Sequence, residues 1–200
     1  MEFGEEPYIG SLPKDMAELE EKRKKKRNRL MVEIVMYAVI IFFAAFIVPR
    51  FILQRTIVIG DSMENTLHDG ENLWVEKISF HFDQLKRFDV IVFYPYGKDN
   101  SEYYIKRVIG LPNETVQIIG ETIYINGKPL RENYGKEAIT YAGNAAEEIH
   151  LKADEYFVLG DNRSVSLDSR YGKVGPVKKE NIEGRAFLRI WPLTRFGFIN

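Results

Sequence analysis

A mostly β chain, with antiparallel sheets forming a barrel or sandwich behind one N-terminal transmembrane helix, is the fold class the sequence predicts. Two observations carry that expectation. Between Arg29 and Arg50 lie twenty residues, Leu30 to Pro49, whose only charge is Glu33. After them, short runs rich in Val, Ile, Tyr and Phe recur between turn residues, with no long helical periodicity and no internal repeat. The 200 residues are 45% apolar, enough for one ordinary domain plus an anchor and too few for a multidomain machine.

The first element is read from charge and length. Residues 22–29 are KRKKKRNR, seven basic residues in eight, preceded by the acidic, helix-favouring DMAELEE at 15–21. The apolar run that follows is about 30 Å long as a helix, the thickness of a hydrocarbon core. A cleaved leader is disfavoured, because 29 residues precede the run and it exits through VPRFIL without a small-x-small site. Basic residues favour the cytoplasmic side. The expected division is therefore a cytoplasmic basic tail at 1–29, a transmembrane anchor at 30–49 and an extracytoplasmic β domain at 50–200.

Within that domain the strand-like runs are RTIVI (55–59), NLWVEKI (72–78), FDVIVFY (88–94), YYIKRVI (103–109), TVQII (115–119), TIYI (122–125), EYFVL (155–159) and RAFLRI (185–190). Gly120-Glu121 and Asn126-Gly127 punctuate them as turns. Residues 131–153 are polar and aperiodic, which predicts an inserted loop or small lobe.

Composition removes several chemistries. A net charge of -1 gives no reason to expect nucleic acid as a partner. Without cysteine there is no disulfide scaffold, thiolate metal site or cysteine nucleophile. The three histidines, His68, His81 and His150, lack the i, i+4 spacing of a helical metal site. Neither a metal nor a cofactor is expected.

Three clusters hold the reactive side chains. In IGDSMENTLHDGE, Ser62 sits in a glycine-flanked polar turn, where a serine serves as a cap or as a nucleophile. In YYIKRVIGLPNET, strand alternation puts Tyr104, Lys106 and Val108 on one face and Ile105, Arg107 and Ile109 on the other. Both faces are otherwise apolar, so at least one cation is carried toward a desolvated surface. Burial lowers a lysine pKa and leaves a neutral amine able to act as a base, unless the head snorkels out at a strand edge. In YFVLGDNRSVSLDSRYGKVG, Asp161, Arg163, Ser164, Ser166, Asp168, Ser169 and Arg170 crowd into ten residues, a loop that can solvate itself or set a hydroxyl beside a buried amine.

Taken together, GDSMENTL, YIKRVIGLPNET and GDNRSVSLDSR, in that order behind an anchor, resemble the boxes of the bacterial type I signal peptidases. These are membrane-anchored Ser/Lys endopeptidases that remove signal peptides, and the resemblance covers the anchor and nearly all of 51–200. It implies that Ser62 is the nucleophile and Lys106 its general base, working through an acyl-enzyme. It implies further that Ser166 orients the lysine amine by a hydrogen bond, that Asp168, Arg170, Asp161 and Arg107 brace the loop by ion pairs, and that Met63 follows the nucleophile as in the family. The implied partners are exported preproteins with small residues at −1 and −3, and a phospholipid membrane.

Three positions depart from the family pattern. Gly60 replaces a hydroxyl residue that can supply a second oxyanion donor beside the Ser62 N–H, Asn65 stands where proline is usual, and Phe88 stands where glycine is usual. Proline is expected to be tolerated at Asn65, and to stabilise by about 0.4–1 kcal/mol where the local φ is compatible. A self-cleaving Ser/Lys protease of the phage-repressor kind, and a silent β module that binds exported chains, are the alternatives.

Overall fold

The structure, a computed structural model, describes residues 14–78 and 84–199. His81 and the first thirteen residues of the expected tail lie outside them. The chain divides between Val48 and Pro49 into two compact units.

The first unit is the helix α1 (Lys14–Phe42) followed by π-helical turns that begin at Phe43 and, over Phe43–Ile52, run past its boundary. It begins well before the apolar run, because the basic stretch is itself helical. Glu18 pairs with Lys22 at 2.7 Å, Glu21 with Lys25 at 2.8 Å and Arg29 with Glu33 at 3.0 Å, each at i, i+4. The last pair gives the lone acid of the apolar run a counter-ion at its basic end. An apolar span within Met16–Ile47 has a mean hydropathy of 2.6 with none of it buried, which fits membrane anchoring.

The second unit is mostly β, as expected, with twelve strands among the described residues. They are β1 (Leu53–Ile57), β2 (Asn72–Glu76), β3 (Val90–Phe93), β4 (Tyr104–Gly110), β5 (Thr115–Ile119), β6 (Thr122–Ile125), β7 (Lys128–Pro129), β8 (Ile149–His150), β9 (Glu155–Leu159), β10 (Val177–Lys178), β11 (Ile182–Trp191) and β12 (Gly197–Phe198). The larger sheet runs β1-β2-β11-β3-β4-β9-β10 with β12 beside β11, and the smaller runs β7-β6-β5-β8. Every pairing is antiparallel.

Burial follows sequence pattern. β5 and β6 alternate, sending Val116, Ile118, Ile123 and Ile125 inward. β3 and β9, nearly continuous apolar runs, are buried at every position, as strands covered on both faces are. Residues 131–153 contribute β8 and the 3-10 turn Gly143–Ala146, and they put Ile139, Ala145 and Leu151 into the same core as Ile109 and Phe157.

Two edge effects position the site. β1 ends two residues before the apolar run does, because the chain turns at Gly60, whose φ is 82°. β4 pairs with β3 over Tyr104–Arg107 but with β9 only from Arg107 onward. Tyr104 to Lys106 therefore have no ladder partner on that side. Between this stretch and the end of β1 opens a cleft of about 580 Å³, lined by Ile57 to Met63, by Ser101 to Lys106, and by Val165 and Leu167.

Candidate active site

Ser62 stands on a tight turn whose apolar residues fix it. Met63 and Leu67, four apart, are fully buried against Val58, Leu73 and Ile105, so the turn is pulled onto the core with Ser62 left at the cleft. Glu64 N–H donates to the Asp61 carbonyl at 3.0 Å and Leu67 N–H to the Met63 carbonyl at 2.8 Å. Below the turn, Val58 N–H to Glu71 O at 2.8 Å and Gly70 N–H to Val58 O at 2.9 Å close the loop. The Ser62 N–H makes no hydrogen bond among the described residues, so the donor that would meet an oxyanion is uncommitted.

Lys106 is 4% exposed, with Nζ 2.7 Å from Ser62 Oγ and 3.0 Å from the Ile105 carbonyl. The Tyr104 ring, two residues back on the same strand face, lies 5.2 Å from Nζ. Burial pushes the lysine pKa down to about 8, against the opposing pull of the Asp168 and Asp161 carboxylates. Protonated, the amine donates to the serine oxygen; neutral, it can accept the hydroxyl proton. The pair can thus move a proton without a histidine.

Alternation predicts at least one buried cation on β4, and the structure buries both. Arg107 Nε and Nη2 reach the two oxygens of Asp161 at 2.9 and 2.7 Å, with neither side chain exposed. The Phe88 carbonyl takes Nη1 at 2.9 Å and the Tyr134 ring lies 3.7 Å from the guanidinium carbon. That environment offsets desolvation by bidentate pairing, whereas Lys106, without such a partner, has its pKa lowered instead.

The late loop closes over the pair. Gly160 is required there: a Cβ would overlap Ser166 Oγ and the Ser62 carbonyl. Asn162 N–H donates to that same carbonyl at 3.0 Å, docking the loop on the nucleophile's backbone. Arg170 Nε and Nη2 hold the two Asp168 oxygens at 2.8 and 2.9 Å, and Asp168 also accepts Gly160 N–H at 3.1 Å. The expected ion pairs among Asp161, Arg107, Asp168 and Arg170 are therefore present as geometry. The expected bond from Ser166 to Lys106 is not formed: Ser166 Oγ is buried without a hydrogen-bond partner, while the amine is engaged by Ser62 and the Ile105 carbonyl.

Several contributors were not singled out from sequence. Thr66 donates from Oγ1 to Asp161 at 2.6 Å and accepts from Arg107 at 3.0 Å. Glu132 pairs with Arg163 at 2.8 Å, and Tyr134 covers Arg107. The last two lie in the aperiodic 131–153 stretch, where nothing in spacing marks them; Thr66 lay inside GDSMENTL and its hydroxyl was the available signal.

The departures from the family boxes have structural answers. Asn65 adopts φ 96°, a region proline cannot enter, so the expectation that proline is tolerated there is overturned. Phe88 sits at φ 76°, the left-handed region glycine would occupy without strain, and its ring packs on Tyr134 at 5.1 Å between centroids. Gly60 donates its N–H to Asp69 at 2.7 Å and has no side chain to offer a second oxyanion donor.

Known proteins resemble this chain in sequence. The family described as signal peptidase, peptidase S26, matches residues 31–191. A signal peptidase I of Leptolyngbya laminosa is 42% identical over 75% of this chain and 74% of its own length. Signal peptidase I of Bacillus licheniformis is 36% identical over 86% of this chain and 95% of its own. A solved signal peptidase I from Enterococcus faecalis, 38% identical, overlays 52% of this chain and 97% of its own with a TM-score of 0.42. On the sequence matches, the chain belongs to the S26 family of signal peptidases, serine peptidases that remove signal peptides.

Proposed function

We propose that Ser62 is the nucleophile and neutral Lys106 its general base in the removal of signal peptides from exported preproteins. The observation that carries the reading is the 2.7 Å approach of a nine-tenths buried amine to the serine hydroxyl. Ser62 Oγ attacks the carbonyl of the −1 residue as Lys106 takes its proton; the ammonium returns that proton to the leaving amine; water then hydrolyses the acyl-enzyme with Lys106 again as base. The uncommitted Ser62 N–H faces the developing oxyanion. Arg107–Asp161 and Asp168–Arg170 hold the loop, Met63 anchors the turn, and Ser166 meets the amine once catalysis begins and the Ser62 bond is exchanged.

Substrate lies extended between the open edges of β1 and β4, where unpaired backbone groups supply hydrogen bonds and the cleft admits small side chains at −1 and −3. The basic tail 1–29 stays in the cytoplasm, 30–49 spans the membrane, and 50–200 works on the far side. Exposed Trp191, Phe196 and Phe198 rest against the bilayer, at 55%, 61% and 73% exposure.

Cleavage of a purified model preprotein tests the reading. Ser62→Ala and Lys106→Ala should each cost roughly 10⁴-fold or more in kcat, with the double variant scarcely worse. Joint replacement of His68, His81 and His150 should leave substantial activity; its loss with the fold intact would overturn the lysine base.

A further inference from the structure

We propose that Arg189, a residue of β11 remote in sequence from all three boxes, is a positioning residue that fixes Ser62 by clamping the far end of its turn. The proposal rests on the reading of Ser62 as nucleophile. Thr66 closes the turn that starts at Asp61, and it is held from two directions. Its hydroxyl joins Asp161 and Arg107, tying the turn to the late loop. Its carbonyl accepts no backbone N–H among the described residues and instead takes Arg189 Nη1 at 3.0 Å, with Arg195 Nη2 farther off at 3.5 Å.

Local structure explains how a strand residue reaches a turn. β11 shifts register against β2 between Ala186 and Leu188 and again between Arg189 and Trp191, so Arg189 lies between two irregularities. Such bulges bend a strand and re-aim its side chains. The guanidinium is then locked by three more acceptors. Glu71 takes Nη1 at 3.2 and 3.0 Å on its two oxygens, and the Arg195 carbonyl takes Nε at 2.7 Å. Glu71 also pairs with Arg195 at 2.8 Å, and its own side chain is 3% exposed.

Position in the loop gives this cluster its consequence. Glu71 closes the base of the Ser62 loop through its carbonyl bond with Val58 N–H, while Thr66 ends the turn itself. One guanidinium therefore bridges the base of the loop and the end of the turn. Lys106 is placed independently, by the β3–β4 ladder. Removing the bridge frees one of the two holds on Thr66, so the serine shifts relative to a stationary amine. Misplacement of reacting groups by about 1 Å is worth up to roughly a hundredfold in rate. Arg189 is not among the residues that line the cleft, so substrate binding should be spared.

The test measures kcat, KM and thermal melting on the full chain in detergent with a model preprotein. Arg189→Met should melt earlier and lose roughly tenfold or more in kcat, with KM within about twofold of wild type. Adding Glu71→Gln removes the carboxylate left half-paired, so melting should recover while kcat stays low. Arg189→Lys keeps the charge beside Glu71 but cannot make all four bonds, and should fold with an intermediate kcat. Recovery of kcat together with melting in the double variant, a loss confined to KM, or wild-type kcat in Arg189→Lys would each overturn the clamp. Ser62→Ala, run alongside, separates the two readings: residual cleavage there overturns the nucleophile itself, whereas an inactive Ser62→Ala beside a fully active Arg189→Met overturns only the role of Arg189.

Discussion

The late loop, Gly160 to Arg170, and the C-terminal edge, Trp191 to Phe198, invert the usual relation of composition to burial. The loop is dense in charge and hydroxyl groups, yet Asp161, Arg163, Asp168 and Arg170 are all buried. The C-terminal edge is aromatic and aliphatic, yet Trp191, Leu193, Phe196 and Phe198 are exposed. The loop can be interior because each charge has a partner of fixed geometry, Arg107 for Asp161, Arg170 for Asp168 and Glu132 for Arg163. The edge has no such internal solution. Polar interior with mutual pairing reads as a machined site, and apolar exterior without pairing reads as a surface that meets something else.

The comparison breaks most sharply at the loop. Asp161→Ala leaves Arg107 buried without its carboxylate, and should destabilise by about 3–5 kcal/mol in chemical denaturation. A cost below about 1 kcal/mol, the range of exposed pairs, would show that water enters the loop and that its interior character is nominal.

Lys106 sharpens the same contrast with opposite sign, since it is a buried cation that forms no ion pair with a carboxylate among the described residues. Its folded pKa near 8 lies below the unfolded 10.5, so the unfolded chain binds more protons between those values. The penalty for burying the amine is complete below pH 8, is relieved as pH rises through the interval and is gone above it. Lys106→Met should thus be more stable than wild type at pH 7, by about 3 kcal/mol at most, with the advantage fading toward pH 10.5. In wild type, kcat/KM should climb about tenfold per pH unit to an acid limb near 8. A limb near 6.5, or a stability difference flat with pH, would contradict a buried amine.

Asn65→Pro examines the turn on which the loop docks. Because φ there is 96°, the substitution should destabilise by more than about 1 kcal/mol and reduce turnover with it. Wild-type melting in that variant would mean the turn relaxes freely.

The smallest effect on folding belongs to the exposed edge. Trp191→Ala should alter stability by no more than about 0.5 kcal/mol, while in a version lacking the anchor, which should bind phospholipid vesicles in a sedimentation assay, the same substitution should abolish that binding. Unchanged vesicle binding would leave the edge without its assigned partner.

Legibility in the sequence followed element length and chemistry. The runs at 115–119, 122–125 and 155–159 match β5, β6 and β9 end to end, because four or five alternating or nearly continuously apolar residues carry a period. β7, β8, β10 and β12 have two residues each, too few for any period to register. Ser62 and Lys106 were legible as a pair only through the three boxes taken together, since 44 residues separate them and no spacing rule joins a turn to a strand. Tyr134 and the Glu71–Arg189–Arg195 cluster are invisible for a related reason: each acts through a partner that only the folded chain brings near.

The depressed pKa of Lys106 has a consequence for chemical labelling. Only an unprotonated amine attacks an acylating reagent, and at pH 7 about one Lys106 in ten is unprotonated, against about one in 2,500 for an ordinary surface lysine. Its amine also lines the cleft. A small acylating probe used briefly at neutral pH should therefore modify this one lysine ahead of the many that crowd the basic tail, turning the cost of burying a cation into selectivity for whoever wishes to find it.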